Sequence, residues 1–376
     1  MVVWIQNPFD NLPGEGYRKQ RYWMMAEAFV RAGHRVLYWT SDFSHATKAP
    51  RRFCAQMDLF TAFDLRLVPT PPYWRNVGLA RLKSHAAYAA AWRRAALEDG
   101  LERPDVIVSS LPTISAAETA LDLARHFGAR SVIDVQDAWP ETFERLVPRA
   151  FGALTRLVLR PAAARARRIY READLVTGVS ARYRALTGRD EYHLAYLGIE
   201  LDAGNGSRRH WPYREVTRLV YSGNLGRTYD LATLVRAVEE NEDLELDIAG
   251  FGEFRCEAPR VRCHGFLSAP DLAALYDECD IGVIPMADAS WVGLPNKIFD
   301  YARAGLGIVS SLTGESAALL ESYRCGATYR PGDVASLVAA IRRVAMLEGG
   351  ASRKLCEREF DARLIYDEYV RRVCHD

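Results

Sequence analysis

The chain has 376 residues, of which 49% are hydrophobic and 26% charged, and its formal net charge is +1. That composition excludes a disordered chain, and no run approaches the roughly 18 consecutive apolar residues of a membrane-spanning helix. At about 150 residues per domain, the length points to two domains.

In chain order, the opening MVVWIQNPFD has neither a basic n-region nor a cleavable apolar core, so no secretory signal is expected. Seven scattered cysteines form no CxxC pair, which fits reduced thiols in a cytoplasm. Short β-branched runs follow: VVWIQ from Val2, RVLYWT from Arg35, FDLRLVPT from Phe63, DVIVSS from Asp105, SVIDVQD from Ser131 and ADLVTGVS from Ala173. Helical stretches separate them, the first being YRKQRYWMMAEAFVRAGH. After a Gly-, Asn- and Ser-rich join near Gly198–Pro212 the pattern restarts. Its runs are RLVYSGN from Arg218, LELDIAG from Leu244, VRCHGF from Val261, DIGVIPM from Asp280, GLGIVSS from Gly305 and GATYRP from Gly326.

This alternation predicts an α/β protein with two Rossmann-like, doubly wound domains facing a cleft. The expected boundaries are 1–195, 196–350 and a C-terminal helix over 351–376 that packs back on the first domain. Ligands of such sheets bind at the carboxyl ends of the strands. The charge is unevenly shared: residues 1–195 carry 28 Lys+Arg against 20 Asp+Glu, and residues 196–376 carry 21 against 28. A basic first half points to an anionic partner, and no nucleic-acid-binding signature accompanies it.

Glycines mark the strand ends. Gly14 and Gly16 sit between the first strand and first helix, with Arg18 and Lys19 expected in that helix's first turn. The loop is not GxGxxG, which argues against a dinucleotide. YSGNLGRTYD places Gly223 and Gly226 around Asn224, with Arg227 beside a helix start, and AGFGEF places Gly250 and Gly252 at another strand end. A structural turn explains the glycines alone but not the arginine beside a helix start, and three glycine-bearing strand ends favour a nucleotide cleft over independent turns. In GLPNKIFDYARAG, Pro295 suits a helix start, and Lys297, one of only five lysines, follows at once. A cation there opposes the helix dipole by a few tenths of a kcal/mol, so it points to a phosphate. Asp300 could accept hydrogen bonds from ribose hydroxyls, or simply complement the dipole.

The order of these elements resembles the GT-B nucleotide-sugar glycosyltransferases, specifically glycosyltransferase family 4 and its bacterial surface-polysaccharide enzymes. The resemblance spans about residues 1–345 and rests on PGEGYR, VIDVQDAWPE, LVYSGNLGRTYDLATLVRAV, LDIAGFGE, HGFLSAPDLAALYDECDIGVIPM, GLPNKIFDYARAGLGIV and GATYRPGDVASLVAAI in that order. It implies a retaining, metal-independent transferase that moves a sugar from a nucleoside diphosphate sugar to a glycan or lipid-linked acceptor. The donor would be held mainly by the second domain and the acceptor by the first. Gly14, Gly16, Gly223, Asn224 and Gly250 would face the donor, with Arg227 and Lys297 neutralising the departing diphosphate. Phe266 would flank the nucleobase and Asp300 the ribose. The position of the family's first acidic residue holds Ser290, Trp291 and Val292, and Asn224 stands where an arginine is often found.

In the first domain, many relatives have His-Asp where this chain has Gln136-Asp137. Asp137 is therefore the remaining carboxylate to orient the acceptor or take its proton, with Arg18, Trp139 and Glu141 as acceptor-side candidates; capping a turn is the plainer role for Asp137 and Glu141. Two basic stretches, one from Pro72 and one running from Arg145 to Arg171, mix arginine with apolar residues. Such helices can lie in a membrane interface, which gives an expected peripheral attachment to the inner face of the cell membrane. Eight histidines show no HExxH spacing, so neither a metal nor a cofactor is expected beyond the sugar nucleotide substrate. A non-hydrolysing nucleotide-sugar epimerase and a catalytically silent subunit of a glycosyltransferase complex are the alternatives.

Overall fold

The computed structural model describes residues 1–15, 18–51, 63–76, 78–98, 100–145, 152–201, 215–287 and 292–375. The chain divides into two compact units, Met1–Leu197 with Arg363–Asp376, and Gly198–Ala362. Most of the Gly198–Pro212 join lies outside the described residues.

The first unit is built on β1 (Val2–Gln6), β2 (Arg35–Ser41), β5 (Asp64–Val68), β6 (Val106–Leu111), β7 (Arg130–Val135), β8 (Leu175–Gly178) and β9 (His193–Leu194). They form a parallel sheet in the order β5-β2-β1-β6-β7-β8-β9, and a small hairpin of β3 (Phe43–Ser44) and β4 (Ala49–Pro50) branches off after β2. The crossovers are α1 (Arg21–Arg31), α2 (Leu79–Ala96), α3 (Ile114–Phe127), α4 (Gly152–Glu172) and the single turn α5 (Arg184–Thr187). Helices cover both faces of the sheet, so β1 and β6 are buried at every position and read as continuous apolar runs without alternation. Trp4, Trp39, Tyr88 and Trp92 anchor the core on one face.

The second unit repeats the plan with β10 (Thr217–Leu225), β11 (Leu244–Gly252), β12 (Val261–Gly265), β13 (Ile281–Ile284), β14 (Gly307–Ser310) and β15 (Gly326–Thr328), ordered β12-β11-β10-β13-β14-β15. Between them run α6 (Leu231–Glu239), α7 (Ala269–Glu278), α8 (Asn296–Ala304), α9 (Glu315–Ser322) and α10 (Val334–Ala345), then α11 (Ala351–Leu355). Three of these helices start where a short polar side chain accepts a backbone N–H: Asp230 from Thr233, Ser268 from Asp271 and Asp333 from Ser336. Both sheets place the first strand of the unit beside its fourth, a reversal of strand order that opens a crevice at the carboxyl ends.

Two expectations change. The first helix begins at Arg21, so Arg18 and Lys19 precede it instead of filling its first turn. The cause is the burial of Arg21, whose guanidinium bridges both oxygens of Asp134 at 2.8 Å and donates to the carbonyls of Ala195 and Tyr196. Gln20 is consequently extended, and its Oε1 accepts from the Asn11 N–H. At the other end, residues 351–376 are not one helix. Ala351–Ala362 sits with the second unit, and α12 (Ala362–His375) from Arg363 onward sits with the first. There Asp367 pairs with Arg31 at 2.8 Å, and the Val373 carbonyl accepts from Arg130.

Candidate functional site

In the second unit, the reversal of strand order falls between β10 and β13, and Gly223 lies near the carboxyl end of β10. Pro295 is the N-cap of α8, which puts Lys297 in that helix's first turn. The Lys297 ammonium lies 3.8 Å from the ring centroid of Tyr229 and 4.9 Å from that of Tyr221. A Cβ on Gly223 would stand 2.8 Å from Nζ, so the glycine leaves the space that the ammonium occupies. Lys297 is only 7% exposed, and among the described residues it has no hydrogen-bond or ion-pair partner. Burial pulls its pKa down to about 7, against the opposing charge of Asp300 one turn along α8.

A cation buried without a counter-ion is costly, and the two tyrosine faces compensate only in part. The arrangement suits an anion that arrives from solvent at a helix N-terminus. Tyrosines fix its walls. The Tyr301 hydroxyl accepts the Ser222 N–H at 3.0 Å, and the Ser222 and Tyr276 hydroxyls share a hydrogen bond of 2.6 Å.

The other expected residues of this unit are dispersed. Gly250 pairs with Gly223 in register, and a Cβ on it would fall 1.8 Å from the Gly223 carbonyl oxygen. Close approach of two strands therefore accounts for Gly250 without a ligand. Asn224 is exposed at the end of β10, and its carbonyl accepts from the Tyr221 hydroxyl. Arg227 is 95% exposed and reaches Glu253 at 3.5 Å, so its charge lies in solvent and not in the tyrosine pocket. Phe266 is exposed next to Phe251, ring centroids 6.4 Å apart. Ser290 and Trp291 lie outside the described residues.

In the first unit, Gly14 has a positive φ of 90° in the loop after β1, Gly16 lies outside the described residues, and Arg18 precedes α1. Burial raises the Asp10 carboxyl of this loop to about 6. Asn7 Nδ2, Asn11 Oδ1, Ser110 Oγ and Thr113 Oγ1, all near the carboxyl ends of β1 and β6, are buried with no hydrogen-bond partner among the described residues. Asp137 follows β7 and accepts from the Ala138 N–H at 2.8 Å and the Thr142 hydroxyl at 3.2 Å. Burial raises its pKa, while those hydrogen bonds and the charge of Arg81 pull the other way. Trp139 is buried against Phe143, and Glu141 opens the short 3-10 helix Glu141–Arg145.

No motif pointed to Arg81. Its guanidinium carbon lies 5.0 Å from the Trp139 centroid, 5.4 Å from Phe9 and 5.9 Å from Tyr73. It donates to the Asn76 carbonyl and to His85, and forms no ion pair among the described residues. Burial, with Arg81 nearby, lowers His85 to about 3, so that ring is neutral at physiological pH. Against this cluster opens a largely apolar cavity of about 600 Å³ between α2, α4 and the Trp139–Phe143 turn.

Two doubly wound units, each with its own strand-order reversal, are the architecture of the GT-B fold. Residues 19–192 match the family model of the glycosyl transferase 4-like domain, and residues 216–346 match that of the glycosyl transferases group 1. The chain belongs to these glycosyltransferases, as the order of its motifs implied. The amylovoran biosynthesis glycosyltransferase AmsK of Erwinia amylovora is 24% identical over 201 residues, which cover 47% of this chain and 49% of AmsK. The match thus spans about half the length of that relative. HepE of Anabaena, solved with UDP and glucose, superposes with a TM-score of 0.66 at 15% identity over 99% of both chains. Sucrose-phosphate synthase from Thermosynechococcus elongatus gives 0.72 at 15% identity, covering 98% of this chain and 97% of its own. WaaG, described as a glycosyltransferase of lipopolysaccharide biosynthesis, gives 0.62 at 13% identity over both whole chains.

Proposed function

We propose that this protein transfers a sugar from a nucleoside diphosphate sugar to the hydroxyl of a glycan or lipid-linked acceptor, with retention and without a metal. The single observation that carries this reading is Lys297, buried between Tyr221 and Tyr229 with no carboxylate in hydrogen-bond or ion-pair contact among the described residues. A diphosphate supplies the missing charge. As the acceptor oxygen bonds to the anomeric carbon, the bond from that carbon to the diphosphate breaks, and negative charge accumulates on the leaving oxygens. A fixed cation in a water-poor pocket stabilises that charge more than it does in water. Asp300 would hold the ribose, with the exposed Arg227 at the rim.

The acceptor falls to the first unit, where Asp137 would orient its hydroxyl or take its proton. Burial raises this carboxyl, which makes its carboxylate a stronger base toward the acceptor's proton. Arginine-rich α4 also carries exposed Leu154, Leu157 and Val158, which supports peripheral attachment at the inner face of a membrane. Among the described residues, no helix is long and apolar enough to cross one. That HepE was solved with UDP makes UDP the first diphosphate to try. Calorimetric titration with UDP, GDP, ADP and dTDP should find one that binds, with affinity lost in Lys297→Ala. If none binds, or if Lys297→Ala binds as tightly as the parent, the reading fails.

A further inference from the structure

The second unit contains a charged cluster that takes no part in holding a diphosphate. Asp247 in β11 is fully buried and accepts from Arg262 Nε at 2.9 Å, from Arg218 at 3.2 Å and from His264 Nε2 at 2.7 Å. Burial pushes its pKa up, but the hydrogen bonds from Arg262 and His264 hold it below the usual carboxylate range, so it stays a charged acceptor at neutral pH. Arg218 and Arg262 tie it to the strands on either side. His264 adds something different, which follows from its place in β12.

Strand β12 is an edge strand paired with β11. Its register runs Asp247 opposite Arg262 and Ile248 opposite Cys263, then jumps to Ala249 opposite Gly265. His264 is the extra residue, and such bulges re-aim the side chains beside them. The imidazole pins the bulge by bonding back to Asp247. Gly265 then turns with a φ of 68°, and Phe266 emerges beside Phe251, ring centroids 6.4 Å apart. Gly250 and Gly252 flank Phe251 where a Cβ would run into β10, 1.8 Å from the Gly223 carbonyl oxygen and 2.6 Å from the Leu225 carbonyl carbon.

Phe251 and Phe266 are 63% and 64% exposed, a pair of rings that folding leaves in water and that offers a stacking face to a planar ligand. Their place along the sheet is set too. The Lys297 ammonium stands over Gly223, Gly223 pairs with Gly250, and Phe251 comes next. A diphosphate at the first position directs its nucleoside toward the second.

We infer that His264 is a positioning residue for the donor's nucleobase: the bulge it forms, tied to Asp247, sets Phe266 beside Phe251 as the face on which the base stacks. The inference rests on the proposed nucleotide-sugar donor. Fastening an edge strand requires only the in-register Arg262–Asp247 pair and no bulge.

Calorimetric titration of the full chain with UDP, GDP, ADP and dTDP, and with inorganic pyrophosphate, which has the phosphates and no base, tests this. His264→Leu removes the bond to Asp247, whereas His264→Gln keeps an N–H donor. The nucleoside diphosphate that binds best should lose about tenfold in affinity in His264→Leu and in Phe251→Ala, with pyrophosphate unchanged in both. His264→Gln should recover most of the loss. Melting temperatures report the fold, and a merely structural role would lower them without separating the two ligands. The inference is overturned if nucleoside diphosphate and pyrophosphate weaken together, if His264→Leu binds both as the parent does, or if His264→Gln is as impaired as His264→Leu. Pyrophosphate binding as tightly as every nucleoside diphosphate would remove the stacking face and leave the Lys297 site standing. Binding of neither would instead refute the donor reading, and the inference would fall with it.

Discussion

Replacing Lys297 by methionine tests the electrostatic reading on the protein alone. The methionine keeps a flexible, apolar side chain of similar length and removes the charge. Burial moves the lysine from its ordinary 10.5 to about 7, which corresponds to roughly 5 kcal/mol at 1.36 kcal/mol per pH unit. Because the folded value lies below the unfolded one, the unfolded chain binds more protons between these limits, and stability rises with pH across that window. Below the folded value the whole penalty is present. Near pH 9 only roughly 2 kcal/mol of it remains. Lys297→Met should therefore be more stable than the parent, by as much as about 5 kcal/mol near pH 6 and about 2 kcal/mol near pH 9. Urea unfolding in phosphate-free buffer, followed by tryptophan fluorescence and circular dichroism, reads that difference. A gain that is equal at both pH values, or a loss at both, refutes the description of Lys297 as a buried cation without a counter-ion.

Three further outcomes follow from neighbouring contacts. Tyr301→Phe removes the acceptor of the Ser222 N–H; leaving a buried N–H unpaired should cost about 1–3 kcal/mol, read as a lower unfolding midpoint with weaker diphosphate binding. Asp137→Asn should leave diphosphate affinity unchanged and abolish transfer, and equal loss of both would remove Asp137 from the acceptor side. Arg227→Gln should reduce diphosphate affinity by less than about tenfold, because a side chain that is 95% exposed works in high dielectric. A loss as large as that of Lys297→Ala would mean that the arginine is drawn into the site on binding.

The sequence carried the architecture because parallel sheets buried on both faces leave unbroken apolar strands, and VVWIQ, DVIVSS and DIGVIPM are of that kind. Lys297 was legible for a local reason: a rare lysine at a helix N-terminus opposes the dipole. The tyrosines around it were not, since Tyr221, Tyr229 and Tyr301 are indistinguishable in sequence from core aromatics and meet only through the strand-order reversal. Gly223 and Gly250 read alike, yet one makes room for an ammonium and the other for a neighbouring strand. The first helix starts later than its sequence pattern predicts because the burial of Arg21 against Asp134, 113 residues away, leaves no local signal. Arg81 and its cavity have no local signal for the same reason, as they arise from the spacing of α2 and α4 and not from any motif.

The central claim, a diphosphate received by Lys297, also predicts where a proton goes. Lysine with a pKa of about 7 is mostly neutral near pH 8, and a bound diphosphate should restore its charge. Titrating the binding diphosphate into the protein near pH 8, in two phosphate-free buffers of different ionisation enthalpy, measures protons exchanged per ligand bound. The account predicts uptake of about one proton, absent in Lys297→Met. Binding with no proton uptake, or the same uptake in the variant, would contradict it.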